Sequence, residues 1–359
     1  LHDTERLRDE LFKITLGVWD HIKNRCPHRE QAANWALEWL QFLPAKRESR
    51  RFVGDHILTQ NDIESEGRFQ DTVAYGGWSM DDHHPAGFEA VKLGAPATIF
   101  HHAPSPYGIP YRCLYSRNIT NLMFAGRNAS CTHAAMSSTR VMGTACSMGQ
   151  AVGTAAAMCI KAGLLPRQLC SRISELQQIL LYDDAYIPWI KQDLGPLTAN
   201  AKLSASQGDP EPVRDGINRQ VGNDPHSWSC SPGDWIAYAF DRPSIVTEAT
   251  LILDSAMDRN LQMSFHQKDD QLAGIPETMQ KSFRVEILRS GRWTPFRHVT
   301  DNYMRLVRVA VGEAVEGVRV VFETTWGAPR SRVYAFYVRH DRSADAQPKA
   351  AAADTAGRC

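Results

Sequence analysis

Along the first forty residues the apolar positions fall at helical spacing. Leu7, Leu11, Ile14, Val18 and Ile22 recur every three or four residues between Thr4 and about Lys23, and His28 to Leu43 repeats the pattern with Trp35 and Trp39. This periodicity predicts two amphipathic helices. Gly and Pro punctuation then rises through DHHPAG and HHAPSPYGIPY, which predicts loops and short strands. Asn121 to Ala125 reads as a buried strand, and Thr144 to Lys161 as a helix that stops at Gly163 and Pro166. A further helix is expected from about Leu169 to Leu181.

Beyond Pro188 the pattern changes. LGPLTANAKLSASQGDPEP is linker-like, and WIAYAF, ATLILD, FRVEIL, LVRVAV, VRVVFE and RVYAFYV each have strand length and strand composition. Six such runs separated by turns predict an all-β jelly-roll sandwich. The expected organisation is an α/β region at residues 1–188, a linker at 189–212, the sandwich at 213–340 and a disordered Ala-rich tail at 341–359.

Composition narrows the picture only a little. With 359 residues and 43% hydrophobic content the chain can bury more than one core, and two domains are expected. The formal net charge is zero, without the clustered Lys and Arg that phosphate tracking needs, so no nucleic-acid partner is expected. The small and apolar stretch from Thr144 to Ile160 is interrupted by Ser147, Gln150 and three glycines, so it predicts a buried helix and no membrane span. Eight cysteines lie scattered without a C-x-x-C pair, which points to free thiols rather than a zinc knuckle.

The candidate chemistry concentrates in FAGRNASCTHAAMSSTRVMGTACSMGQAVGTAAAM, Phe124 to Met158. Ala145, Gly149 and Gly153 fall four apart on one helix face, which could approach another surface at backbone distance. Ordinary helix-on-sheet packing accounts for small residues too. The helix start, Met142-Gly143-Thr144, adds free backbone N–H groups suited to an anionic or electron-rich group. His133 lies in the loop before this helix, where it could move a proton or serve structure alone. His83, His84, His101 and His102, with Asp81 and Asp82, raise the idea of a metal site. Neighbours on an extended segment point oppositely, so each His pair offers one ligand at most. No metal is expected, and Asp81 to His84 read instead as part of a substrate-side wall.

NLMFAGRNASCTHAAMSSTRVMGTACSMGQAVGTAAA, together with RESRRFVGDHILTQNDI, the DDHHP loop and YGIPYRCLYSRNITNLMFAGR, resembles the closing part of bacterial FAD-dependent oxidoreductases of the fumarate-reductase-like and glutathione-reductase-like superfamily. The resemblance covers about Leu1 to Pro188. It implies an incomplete Rossmann-type α/β domain with FAD as cofactor, and Phe124 to Arg127 as the last strand and turn of its sheet. Gly126 and Arg127 would pass the ribityl and pyrophosphate part of FAD, and Gly143, Thr144 and Ala145 would face the pyrimidine edge of the flavin. His133 and Arg140 would be catalytic, while His83, His84, Tyr107 and Arg112 would line the substrate side; Arg51 and Tyr111 belong to the same motifs. Many relatives carry Asp where this chain has Arg127.

No G-x-G-x-x-G turn follows an opening strand here, so the chain is expected to be the C-terminal part of a longer flavoprotein, with the missing N-terminal part as its partner. This part alone would be inactive. The β-rich remainder resembles a discoidin-like jelly roll of the kind that binds carbohydrate, carried by Asp215-Gly216, Trp228 and GDWIAYAFDRP; Trp228, Trp235 and Trp293 are core or ligand platform. The resulting expectation is hydride transfer from a small, sugar-like substrate to flavin. The alternative is a glycan-binding protein with a non-catalytic α/β scaffold.

Overall fold

Helical periodicity becomes a helix only over part of the N-terminal region. In the computed structural model, which describes residues 3–45, 48–257 and 274–340, helix α1 spans Thr4–Asp20 and runs on as a π turn, His21–Arg25. None of its residues is buried, and Leu7, Leu11, Ile14 and Val18 are exposed. The second helix, expected over 28–43, is replaced by turns as far as Asn34 and then irregular chain. The Lys23 ammonium donates to the carbonyls of Ala32, Ala33 and Trp35 at 2.8–2.9 Å, closing the turns. Trp35 and Trp39 stay 71% and 74% exposed. A short amphipathic helix needs a surface over its apolar face, and these indoles find little cover among the described residues.

Helix α2 (Gln60–Glu64) opens on a capping box, in which Thr59 Oγ1 accepts from the Asp62 amide and the Asp62 carboxylate accepts from the Thr59 amide. Strands β1 (Thr72–Gly76), β2 (Met80–His83), β3 (Thr98–His101) and β4 (Tyr107–Pro110) form two antiparallel pairs, β1 with β4 and β2 with β3. The expected closing strand, Asn121 to Ala125, is an extended segment held by the Tyr115–Met123 bridge and by the Phe124 amide on the Leu114 carbonyl. It joins no parallel ladder among the described residues. Helix α3 (His133–Thr139) is capped by Thr132, and α4 (Met142–Ala162) ends at Gly163, whose φ of +64° suits glycine. A 3₁₀ turn, Pro166–Arg172, leads into α5 (Ile173–Tyr182).

Met148, Ala151 and Ala155 of α4 and Leu176 and Leu180 of α5 pack with Tyr107, Ile109, Tyr111 and Tyr115 into one core. The small-residue face of α4 behaves otherwise than expected. A Cβ added at Gly149 or Gly153 would meet nothing within 4 Å, and both residues are exposed. At Ala145 the contact is an ordinary one, its Cβ lying 3.8 Å from a Cβ built on Gly126. No single described helix is long and apolar enough to cross a membrane.

The segment expected as a linker contributes helix α6 (Gly195–Asn200) and strand β5 (Lys202–Ala205), which pairs with β7 (Trp235–Leu253). The sandwich is completed by β6 (Trp228–Cys230), β8 (Gln280–Arg289), β9 (Arg292–Val299), β10 (Leu306–Thr325) and β11 (Ser331–Arg339). WIAYAF and ATLILD merge in β7, and LVRVAV and VRVVFE merge in β10, because each long strand bends past an irregularity and serves both layers. One layer runs β6, β11, the end of β7, the start of β10; the other runs β5, the start of β7, the end of β10, β8, β9. Phe283, Phe322, Phe336, Val318 and Trp228 fill the space between. Trp228 is therefore core, its indole N–H donating to the Gln207 carbonyl at 2.8 Å. Trp235 and Trp293 are half-buried and flank the Arg319 guanidinium, 5.7 and 4.6 Å from their ring centres. The tail expected at 341–359 lies outside the described residues.

Candidate flavin site and its charged wall

Helix α3 ties the site together because both its ends are anchored to β2. At its start, His133 Nε2 meets Asp82 Oδ1 at 2.8 Å and Nδ1 meets Glu48 at 2.7–2.8 Å. Bonding to Glu48, then to Asp82, raises the His133 pKa above its ordinary value, against the opposing effect of partial burial. Burial works to raise the Glu48 pKa, but hydrogen bonds from His133 and Arg51 outweigh it and hold this carboxyl below the usual range. At the other end of α3, Arg140 pairs with Asp81 Oδ2 at 3.0 Å and reaches the Asp81 carbonyl and His83 Nε2. His83 Nδ1 is in turn 3.0 Å from the Thr98 hydroxyl on β3.

The wall is thus an alternating set: Arg51, Glu48, His133, Asp82 on one side and Arg140, Asp81, His83 on the other. With His133 protonated, its three carboxylates face three cations. Glu48 and Thr98 were not singled out from the sequence. Glu48 stands in RESRR, but its partner His133 lies 85 positions away, and no local pattern signals such a pair.

Two further substrate-side expectations are corrected. Tyr107 is fully buried beneath the site, with its hydroxyl 2.6 Å from Ser138 Oγ, and burial pushes its pKa well up. Arg112 forms a two-pronged pair with buried Asp71 at 3.0 and 3.1 Å, while its own amide binds the same carboxylate. Both therefore hold the fold. His84 accepts the Ala86 amide at 3.1 Å and shapes a turn, and Tyr111 donates to the Pro166 carbonyl from the core. Arg51 serves the wall by pairing with Glu48.

Beside the wall lies a bare cradle. Gly126, at φ +82°, turns the chain against the first turn of α4, and Arg127 is exposed on the same turn. Val141 gives α4 no side-chain cap, and an added Cβ at exposed Gly143 would meet nothing within 4 Å. The open amides at a 21-residue helix start favour a group that carries or gains negative charge. Residues 2–180 match the family model described as FAD dependent oxidoreductase. The N-terminal region belongs to that family.

FAD is accordingly its cofactor, and the open space at Gly143 with the uncapped amides of α4 is compatible with a flat group whose electron-rich edge would face them. Gly126, Arg127, Gly143, Thr144 and Ala145 are the residues of this chain that would hold it. No curated protein matches the chain. Among solved structures, the family 32 carbohydrate-binding module of Streptococcus pneumoniae EndoD is similar at 12% identity and TM-score 0.31, covering 40% of this chain and 99% of that one. The corresponding module of AlyQ, solved with 4,5-unsaturated mannuronic acid, is similar at 12% identity and TM-score 0.28, covering 42% and 99%. The jelly-roll assignment rests on the strand pairing described above.

Proposed function

We propose that the flavoprotein domain oxidises a small, uncharged, hydroxylated substrate, with His133 taking up the hydroxyl proton. The carrying observation is that the charged wall is already paired within itself. Arg140 is engaged by Asp81 and Arg51 by Glu48, so neither is set aside for a substrate carboxylate. Paired carboxylates and hydroxyls such as Thr98 suit the hydroxyl groups of a sugar-like alcohol.

When bound, FAD supplies the hydride acceptor. The chain's own part is to orient the substrate and to move one proton. Protonated, His133 donates to both Glu48 and Asp82. Once it loses that proton, one ring nitrogen carries a lone pair that the adjacent carboxylate repels, and this nitrogen becomes the base for the substrate hydroxyl. Oxidation should therefore rise with pH through a value above that of an ordinary histidine.

The test is anaerobic bleaching of the FAD-loaded enzyme by polyols and by hydroxy acids of equal size. Bleaching by polyols with an acid limb that His133→Ala removes supports the reading. Preferential bleaching by hydroxy acids overturns it.

A further inference from the structure

The sandwich grips the flavoprotein domain where α5 ends. The guanidinium groups of Arg308 and Arg339 lie over the Tyr182 ring, 3.9 and 4.5 Å from its centre, and its hydroxyl donates to Glu248 at 2.5 Å. Arg308 also donates to the Tyr182 carbonyl and to Asp183. Two residues on, Asp184 holds a left-handed φ of +60° and is bound by Arg305 at 2.7 Å and Arg219 at 3.3 Å. All three of these side chains are at most 16% exposed. Four arginines of the sandwich thus converge on residues 182–184.

From this grip a packed path leads back to the cradle. Arg219 lies over the Tyr186 ring at 4.9 Å, and Tyr186 meets Tyr75 of β1 edge-on at 5.1 Å. The Ser147 hydroxyl, in the second turn of α4, donates to the Thr144 carbonyl at 2.8 Å and lies 3.5 Å from the Tyr75 carbonyl, and Ala74 of β1 shares one buried core with Met148 and Ala151 of α4. In parallel, the buried Gln177 amide of α5 donates to the carbonyls of Gln70 and Thr72, at 2.8 and 2.9 Å, and so fixes the start of β1. We propose that the sandwich positions the cofactor-facing start of α4, with Arg219 as a positioning residue that acts through Tyr186 and Tyr75. Ionic and stacked contacts in a largely buried site resist displacement, so the path joins two packed domains rather than two loops. The inference rests on residues 142–145 being the flavin site, but the coupling itself can be measured without FAD.

Hydrogen exchange on the purified chain provides the test. Arg219→Leu should speed exchange across residues 142–148 by roughly tenfold, the scale of coupling carried through packed networks. Tyr186→Ala should do the same while leaving the sandwich protected, and the double variant should add little to either, as expected for one shared path. Val285→Ala, in the sandwich core and off the path, should loosen the sandwich and leave residues 142–148 as they were. The proposal is overturned if Tyr186→Ala leaves exchange at 142–148 unchanged, or if Val285→Ala raises it as much as Arg219→Leu does. Should Arg219→Leu fail to fold, Tyr186→Ala and Val285→Ala decide the matter.

Discussion

The two halves of the molecule differ in how fully each covers the apolar faces of its own elements. In the sandwich Phe283, Phe322 and Phe336 are completely buried, and its two layers close on each other through strands that bend from one to the next. In the flavoprotein domain a core of tyrosines and small helix residues is complete, yet α1 buries nothing and α4 turns Gly143, Gly149 and Gly153 outward. A sheet closed by its own strands needs nothing more to hide its apolar face, whereas a helix layer depends on what is laid over it. The difference predicts where substitutions hurt.

The largest effect should come from emptying the sandwich core. Phe322→Ala should cost about 3–5 kcal/mol, read as a lower midpoint in denaturant melts, while Leu11→Ala on exposed α1 should stay within about 0.5 kcal/mol. Equal losses would break the contrast. Breaking a buried ion pair comes next and should treat the halves alike. Asp71 and Asp254 are each about as buried as the core, paired with Arg112 and Arg332 respectively. Replacing either arginine by Ala strands a buried carboxylate and should cost roughly 3 kcal/mol in both. A loss in the sandwich alone would mean that the flavoprotein domain is less well packed than its geometry indicates.

Smaller still is the effect at Gly149 and Gly153. With open space at both, Leu should be tolerated by this chain and raise helix stability by up to about 1 kcal/mol. A strong loss on thermal melting would indicate a close neighbour on that face. The smallest effect concerns pH. Because the folded-state pKa of His133 is raised, its tie to Glu48 and Asp82 is fully present below the ordinary histidine value and fades as pH climbs through the raised one. Glu48, held low, loses its share only as pH falls below the ordinary carboxylate range. Exchange protection around residue 133 should decline on the alkaline side, and His133→Asn should flatten that decline; a decline retained in the variant would assign it elsewhere.

Much of this was legible in the sequence wherever a pattern is local. FRVEIL declares a strand by alternation, RVYAFYV by its run of β-branched and aromatic residues, and the α4 helix declares its end at Gly163. β5 was hidden because KLSA is short and polar enough to pass for linker, and only its ladder with Ile236–Ala239 makes it a strand. The bend that joins WIAYAF to ATLILD runs through Asp-Arg-Pro, which reads as a turn and serves as an irregularity in one strand. Trp35 and Trp39 have helical spacing, but spacing cannot supply the surface that a helix needs. In the site, the resemblance pointed to the Gly126 turn and the start of α4, glycine spacing alone pointed to a close approach at Gly149 and Gly153 that is absent, and the Glu48–His133–Asp82 bridge joins three distant segments and has no signature in any one of them.

The most direct test of the central claim is hydrogen exchange over the whole chain with and without saturating FAD. The account predicts slowed exchange at residues 126–128 and 142–146, with the sandwich unchanged. Flavin bound by absorbance but protecting other segments, or leaving the start of α4 at its free rate, would contradict it.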